Sequence, residues 1–156
     1  MSCYLALFNA KRSEGVLSIR SKWNQRYAQA HVPNQVIDVL QDNVHLLPGK
    51  GASLDLACGL GGNALLLAKA GLEVEAWDLS RVAIERLLGF AAAQGLGNLR
   101  AEVRDLSQES LPQAAFDVIS VSYYLDRDLI APLMAALEPG GLLFYQTFTR
   151  HAISGR

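Results

Sequence analysis

One run of eleven residues constrains the fold of this chain more than any other: Leu54-Asp55-Leu56-Ala57-Cys58-Gly59-Leu60-Gly61-Gly62-Asn63-Ala64. Up to Ala57 it has the composition of a buried β-strand; the glycines mark a turn, and Asn63-Ala64 open a helix. Gly59 and Gly61 permit positive φ and carry no side chain, so a ligand can approach the backbone. The helix that follows is expected to offer free N–H groups and a positive dipole end, where a carboxylate or phosphate can sit.

The rest of the chain repeats this alternation. A polar stretch over 9–22 precedes a short helix from Trp23 to Ala30. Val36, Ile37, Val39, Leu40 and Val44 mark one helical face, with Pro33-Asn34 as its start and Pro48-Gly49-Lys50-Gly51 as its break. Strands are predicted at Ser53–Ala57, Glu73–Asp78, Leu99–Arg104, Phe116–Ser122 and Leu142–Phe148. Helices are predicted at Asn63–Ala70, from the N-cap Ser80 to about Gln94, and at Asp128–Leu137. Strands separated by helical segments imply right-handed crossovers and a parallel sheet covered on both faces.

With 156 residues, 51% hydrophobic and 19% charged, the chain suits one globular domain. A net charge of −1 and a pI near 6.3 give no support for a nucleic-acid surface. Arg12, Arg20, Lys22 and Arg26 read as a solvated segment or a small basic patch. Cys3 and Cys58 do not form a disulfide framework, so a reducing cytoplasm fits. No apolar stretch approaches the roughly 20 residues of a membrane span. Met1–Phe8 lacks the basic start and small-residue cleavage site of a signal peptide. His31, His45 and His151 have no metal-ligand spacing with the cysteines, so no metal is expected, and no iron–sulfur pattern exists.

In such sheets ligands bind beyond the carboxyl ends of the strands, where the strand order reverses. The predicted tips carry Asp55 and Ala57, Asp78, Asp105, Ser120–Tyr124 and Thr147–Arg150. Asp78 can accept hydrogen bonds from both hydroxyls of a ribose; it could also cap a helix, a role Ser80 already fills. Asp105 can accept from an adenine amino group or close a turn before Leu106-Ser107. Gly59-x-Gly61-x-x-Ala64 also satisfies the loose dinucleotide pattern, so an NAD-dependent oxidoreductase competes. Asp55 argues against that reading, because a pyrophosphate gains nothing from a nearby carboxylate, whereas the amino group of a methionine does. No Tyr-x-x-x-Lys pair follows to serve hydride transfer.

Four segments in order resemble the class I S-adenosylmethionine-dependent methyltransferases. Leu54–Asn63 resembles their motif I, with Ala57 where glycine is commoner. Val74-Glu75-Ala76-Trp77-Asp78-Leu79-Ser80 resembles the acidic second motif, and Phe116-Asp117-Val118-Ile119-Ser120 the fourth-strand motif. Leu137-Glu138-Pro139-Gly140-Gly141-Leu142-Leu143 resembles the element before strand five. Asn63 after two glycines, and Trp23-Asn24-Gln25-Arg26-Tyr27, are similar to the tellurite-resistance-like branch of small-molecule methyltransferases.

The resemblance implies an α/β fold: a doubly wound, Rossmann-like parallel sheet of about five strands in the order 3-2-1-4-5. The polar, mixed composition of 9–22 sets a loosely attached segment, 1–22, before a binding domain expected over 23–156 and expected to be truncated at its C-terminal end. The implied cofactor is S-adenosyl-L-methionine, bound by Asp55, Ala57, Gly59, Gly61, Asn63, Asp78, Leu79, Asp105, Leu106 and Ser120. In that scheme the two glycines line the methionine end, Asp78 binds ribose, Leu79 packs on adenine, and Asp105 with Leu106 meets the adenine edge. The implied reaction is in-line methyl transfer to a small-molecule acceptor, which needs alignment and exclusion of water more than a strong base. A non-catalytic nucleoside-binding module is the alternative.

Tyr123 and Tyr124 are candidates to contact the acceptor or to pack over the sheet edge. Trp23 and Tyr27 read as a lid or as an anchor for the first helix. Arg26 and Arg150 could attract an anionic acceptor or simply be solvated, and Cys58 reads as a small buried residue. The family's sheet has seven strands, so the last hairpin is expected to be missing. Leu142–Phe148 is then an apolar edge that invites a homodimer.

Overall fold

The computed structural model describes residue 15 and residues 18–148. The Met1–Phe8 stretch, Cys3, Arg12, Arg150 and His151 lie outside the described residues. Five parallel strands pair in the order β3-β2-β1-β4-β5. They are β1 (Ala52–Leu56), β2 (Glu73–Asp78), β3 (Leu99–Val103), β4 (Phe116–Ser122) and β5 (Leu137–Gln146). The helices are α1 (18–28), α2 (Asp38–Gln41), α3 (Gly62–Lys69), α4 (Arg81–Ala93) and α5 (Ile130–Ala136).

Strand alternation divides the core in two. On one face Val74, Ala76 and Val118 pack with Leu65 and Leu67 of α3, Leu87 of α4, and Ile37 and Leu40. On the other, Leu54, Leu56, Trp77, Ile119 and Val121 pack with Leu133 and Ala136 of α5. Burying each large aliphatic side chain contributes about 1.5–3 kcal/mol. β1 lies between β2 and β4, so the strand order reverses there and a crevice opens at the carboxyl ends.

Two segments depart from the sequence expectation. The helix expected from Pro33-Asn34 is extended up to Ile37 and leaves only α2 and a 3-10 turn, Val44–Leu46. Its polar groups are used elsewhere: the Asn34 side chain accepts from Gly62 N at 3.2 Å, and Ile37 N donates to Asn63 Oδ1 at 3.1 Å. α5 ends at Ala136 and β5 begins at once, with Leu137 paired to Phe116 and Leu142 to Val118. The expected break over 138–141 is thus a bulge within the ladder, in which four residues face Asp117 alone. Helix α1 runs across residues 22 and 23, the expected boundary between a loose segment and the domain.

Candidate functional site

Beneath the crevice lies a buried polar layer. Asp55 is 0% exposed and points to the α3 side of the sheet. Its Oδ1 accepts from Ser120 Oγ at 2.8 Å and Asn63 Nδ2 at 3.5 Å, and its Oδ2 accepts from Ala64 N at 3.1 Å. Ser120 is its register partner on β4. Asn63 Nδ2 also reaches Ser122 Oγ at 3.5 Å. Burial pushes the Asp55 carboxyl up to about 7, against the lowering effect of these donors. Asp55, Asn63 and Ser120 therefore join β1, β4 and the start of α3.

The glycine loop is held as tightly. Gly61 has φ 80°, and a Cβ there would fall inside the Leu87 side chain of α4. Gly59 has φ 53°, and its Cβ would lie 2.9 Å from the Tyr27 hydroxyl. Asp78 spans two loops: Oδ2 accepts from Gly59 N at 2.9 Å and Oδ1 from Ser80 N at 2.8 Å. Burial raises its carboxyl above the usual range, while the backbone N–H groups of Ser80, Gly59 and Leu79 act the other way. Ser80 caps α4 by accepting from Ala83 N at 3.2 Å. Of the α3 donors expected to be free, Gly62 N and Ala64 N are taken by Asn34 and Asp55, because the loop closes on its own side chains.

Above this layer opens a cleft of about 130 Å³ that communicates with solvent. Ala57, Asp78, Leu79, Asp105, Leu106, Tyr123 and Tyr124 line it, as do Ser122 and the α1 residues Ile19, Trp23 and Tyr27. Ala57 adopts φ 55° there, a left-handed backbone where glycine is the easier residue. Asp105 accepts from Ser107 N at 3.0 Å through Oδ1, forming the turn that was one of its two sequence readings, and also faces the cleft. Of the ten residues expected at a cofactor, the cleft wall brings together Ala57, Asp78, Leu79, Asp105 and Leu106. Asp55, Asn63 and Ser120 lie below it in the buried layer, Gly59 is off the wall against the Tyr27 hydroxyl, and Gly61 packs against α4.

Ile19, Trp23 and Tyr27 recur every four residues and so share one face of α1. Trp23 and Tyr27 stack with centroids 5.6 Å apart. Asn24 ties the helix down, its Oδ1 accepting from Ser80 Oγ at 2.6 Å, and Arg86 donates to Ala28 O at 2.7 Å. Burial, followed by the neighbouring Asp78 and Cys58, raises the Tyr27 hydroxyl well above its usual range. Arg26 lies over the Trp23 ring at 5.3 Å and is not on the cleft wall. Cys58 is buried, and its thiol is pushed up by burial, then by Asp55 and Asp78. Sequence reasoning missed Ile19 and the tether Asn24; the four-residue spacing was the signal for the first, and nothing local marks the second.

The donor set suits a nucleoside. A carboxylate stands beside the glycine loop, apolar Leu79 and Leu106 offer contact to a flat base, and a second carboxylate, Asp105, lies near them. Two carboxylates also favour a ligand with positive charge. The residues present therefore fit S-adenosyl-L-methionine.

A family model described as a methyltransferase domain matches residues 54–141. The chain resembles phosphoethanolamine N-methyltransferase 1 of Haemonchus contortus, solved with phosphoethanolamine and S-adenosylhomocysteine. The TM-score is 0.71 at 18% identity, over 90% of this chain and 34% of that one. An S-adenosylmethionine-dependent methyltransferase from Mesorhizobium loti matches with a TM-score of 0.59 and 28% identity, over 70% of this chain and 53% of that one. Hemagglutinin 1 of Eikenella corrodens is 38% identical over an alignment of 96 positions that covers 57% of this chain and 31% of that protein. The chain thus spans about a third of the length of the first structure and of the curated relative. No helix among the described residues is long and apolar enough to cross a membrane. With the five-strand order, the cleft and the matched segment in agreement, the chain belongs to the methyltransferase domain family, whose cofactor is S-adenosyl-L-methionine.

Proposed function

We propose that this chain transfers a methyl group from S-adenosyl-L-methionine to a small-molecule acceptor. The observation that carries the reading is the cleft at the reversal of strand order, with Asp78, Leu79, Asp105 and Leu106 on one side and Tyr123 and Tyr124 on its rim. Asp78 holds the ribose, Leu79 and Leu106 enclose the adenine, and Asp105 accepts from its amino group. Ala57 and Gly59 line the approach to the methionine end, while Asp55, Gly61, Asn63 and Ser120 hold that loop in shape. The bound cofactor supplies a methyl carbon on a positively charged sulfur, which keeps the electron pair of the broken bond. The chain's own part is alignment and exclusion of water, for which α1 covers the cleft with Trp23 and Tyr27.

The dinucleotide alternative is disfavoured by the loop. A pyrophosphate needs free N–H groups at the helix start, and two of those are occupied by Asn34 and Asp55. We place the activity in the cytoplasm, and expect β5, at the end of the strand order, to pair with a second copy. The test is incubation with methyl-tritiated cofactor and a panel of amines, phenols, thiols and carboxylic acids. Label transferred to an acceptor supports the reading. Cofactor binding without transfer to any acceptor supports a non-catalytic binding module instead. A monomer at micromolar concentration in light scattering would remove the homodimer.

A further inference from the structure

β4 ends at Ser122, and the next residue leaves sheet geometry: Tyr123 has φ 54°, a left-handed backbone that bulky side chains rarely adopt. Such a residue persists where its neighbours over-determine it, and this happens at functional sites. Gln146, the last residue of β5, holds Tyr123 at both ends. Its carbonyl accepts the Tyr123 N–H at 2.8 Å, and its Nε2 donates to the Tyr123 hydroxyl at 3.1 Å. Its Oε1 accepts the Val39 N–H of the α2 segment at 3.1 Å. That backbone donor settles the carboxamide, oxygen toward Val39 and NH2 toward the tyrosine. Phe148 lies against the ring with centroids 4.8 Å apart.

The Tyr123 hydroxyl thus spends one lone pair on Gln146 and keeps its proton and its other lone pair for a different partner. The side chain is 50% exposed and lines the cleft. The cleft wall is mostly aromatic and aliphatic, with the rings of Trp23 and Tyr124 and the side chain of Leu106, and its charged members are the carboxylates of Asp78 and Asp105. An anion entering here meets like charge, whereas a neutral ring meets rings.

We infer that Tyr123 contacts the methyl acceptor through its hydroxyl, that Gln146 is its positioning residue, and that the acceptor is a small neutral molecule bearing an O–H or N–H on an aromatic body. The inference rests on the methyl-transfer reading above. Hydrogen-bonded to Tyr123, the acceptor's O–H or N–H is fixed in direction while its own lone pair stays free to bond carbon; the sulfur–methyl bond breaks with its electron pair left on sulfur, and the acceptor's proton passes to water at the open mouth of the cleft.

Phenol is the probe. It is titrated into the S-adenosylhomocysteine complex of the whole chain, labelled with ring-13C tyrosine and followed by NMR, the Tyr123 signal being assigned with Tyr123→Phe. Phenol is expected to bind saturably and shift the Tyr123 signal, and benzoate is expected not to. Tyr123→Phe and Gln146→Leu are each expected to weaken phenol about tenfold, the effect of one hydrogen bond. S-adenosylhomocysteine affinity is expected to stay constant, and the double variant to be no weaker than Tyr123→Phe alone. Gln146→Met keeps the length of the side chain but cannot donate to Tyr123, and is expected to lose the same tenfold should Gln146→Leu not fold. An unmoved Tyr123 signal overturns the contact, and benzoate binding as well as phenol overturns the class. A full loss from Gln146→Leu in the Tyr123→Phe background makes Gln146 merely structural and overturns the positioning. Absence of S-adenosylhomocysteine binding, seen before phenol is added, removes the methyl-transfer reading and this inference with it.

Discussion

Replacing Asp55 with asparagine tests how the buried layer is held. Asp55 is fully buried, and its carboxyl rises from an ordinary 3.8 to about 7 because burial outweighs three hydrogen-bond donors. A folded-state value above the unfolded one means that the native state binds the proton more tightly. Stability from this group is therefore complete below about pH 4 and is lost as pH rises through 7. A rise of about three units is worth about 4 kcal/mol at 1.36 kcal/mol per unit, to order of magnitude. When protonated, the acid donates to Ser120 Oγ, whose hydroxyl rotates to accept, while the other oxygen still accepts from Ala64 N. Asparagine reproduces those two bonds without a charge and gives up only the long 3.5 Å contact from Asn63 Nδ2. Urea denaturation of the ligand-free chain between pH 4 and pH 8 is the assay. The wild type should lose stability across that range. Asp55→Asn should lose most of that dependence and be the more stable protein at pH 8, by about 3 kcal/mol. A smaller fall should remain from Asp78, whose carboxyl is also raised by burial. An unchanged pH slope in Asp55→Asn refutes the assignment of the slope to this group.

Other parts of the account have their own checks. Gly61→Ala places a methyl in the Leu87 side chain at a positive φ and should destabilise by more than about 2 kcal/mol in urea titration. Asn24→Ala removes the tether between α1 and the start of α4. It should weaken S-adenosylhomocysteine by about 1 kcal/mol and speed trypsin cleavage after Lys22 or Arg26. In a Cys3→Ser background, Cys58 should resist iodoacetamide in the native protein at pH 8 and react once denatured, as mass spectrometry would read, because its thiol is buried and its ionisation is suppressed.

The sheet was legible because its strands obey local rules. Glu73–Asp78 and Phe116–Ser122 coincide with their predicted bounds, and Ser80 was a recognisable N-cap. The stretch 33–44 was not legible, since its apolar spacing favours a helix while the partners that hold Asn34 and Ile37 extended, Gly62 and Asn63, lie 26 or more residues away. The bulge over 138–141 was hidden for a similar reason: Pro139-Gly140-Gly141 looks like a stop until β4 supplies the ladder. At the site, the cleft residues Asp78, Leu79, Asp105 and Leu106 follow from being at strand tips. Asp55 sits one residue out of phase with the apolar Leu54 and Leu56, so period-two alternation already directs it to the opposite face, under α3. Gly61 shows a limit of local reading, because its need for glycine comes from Leu87 as well as from its own φ.

Whether the cleft holds S-adenosyl-L-methionine through Asp78 is read by calorimetric titration of wild type and Asp78→Ala with S-adenosylhomocysteine and with NAD. Wild type should bind one S-adenosylhomocysteine per chain and no NAD, and titration with both should show it. Asp78→Ala, which must retain wild-type circular dichroism, should lose about 1–3 kcal/mol in binding. Equal affinity in the folded variant, or binding of NAD in place of S-adenosylhomocysteine, would contradict it.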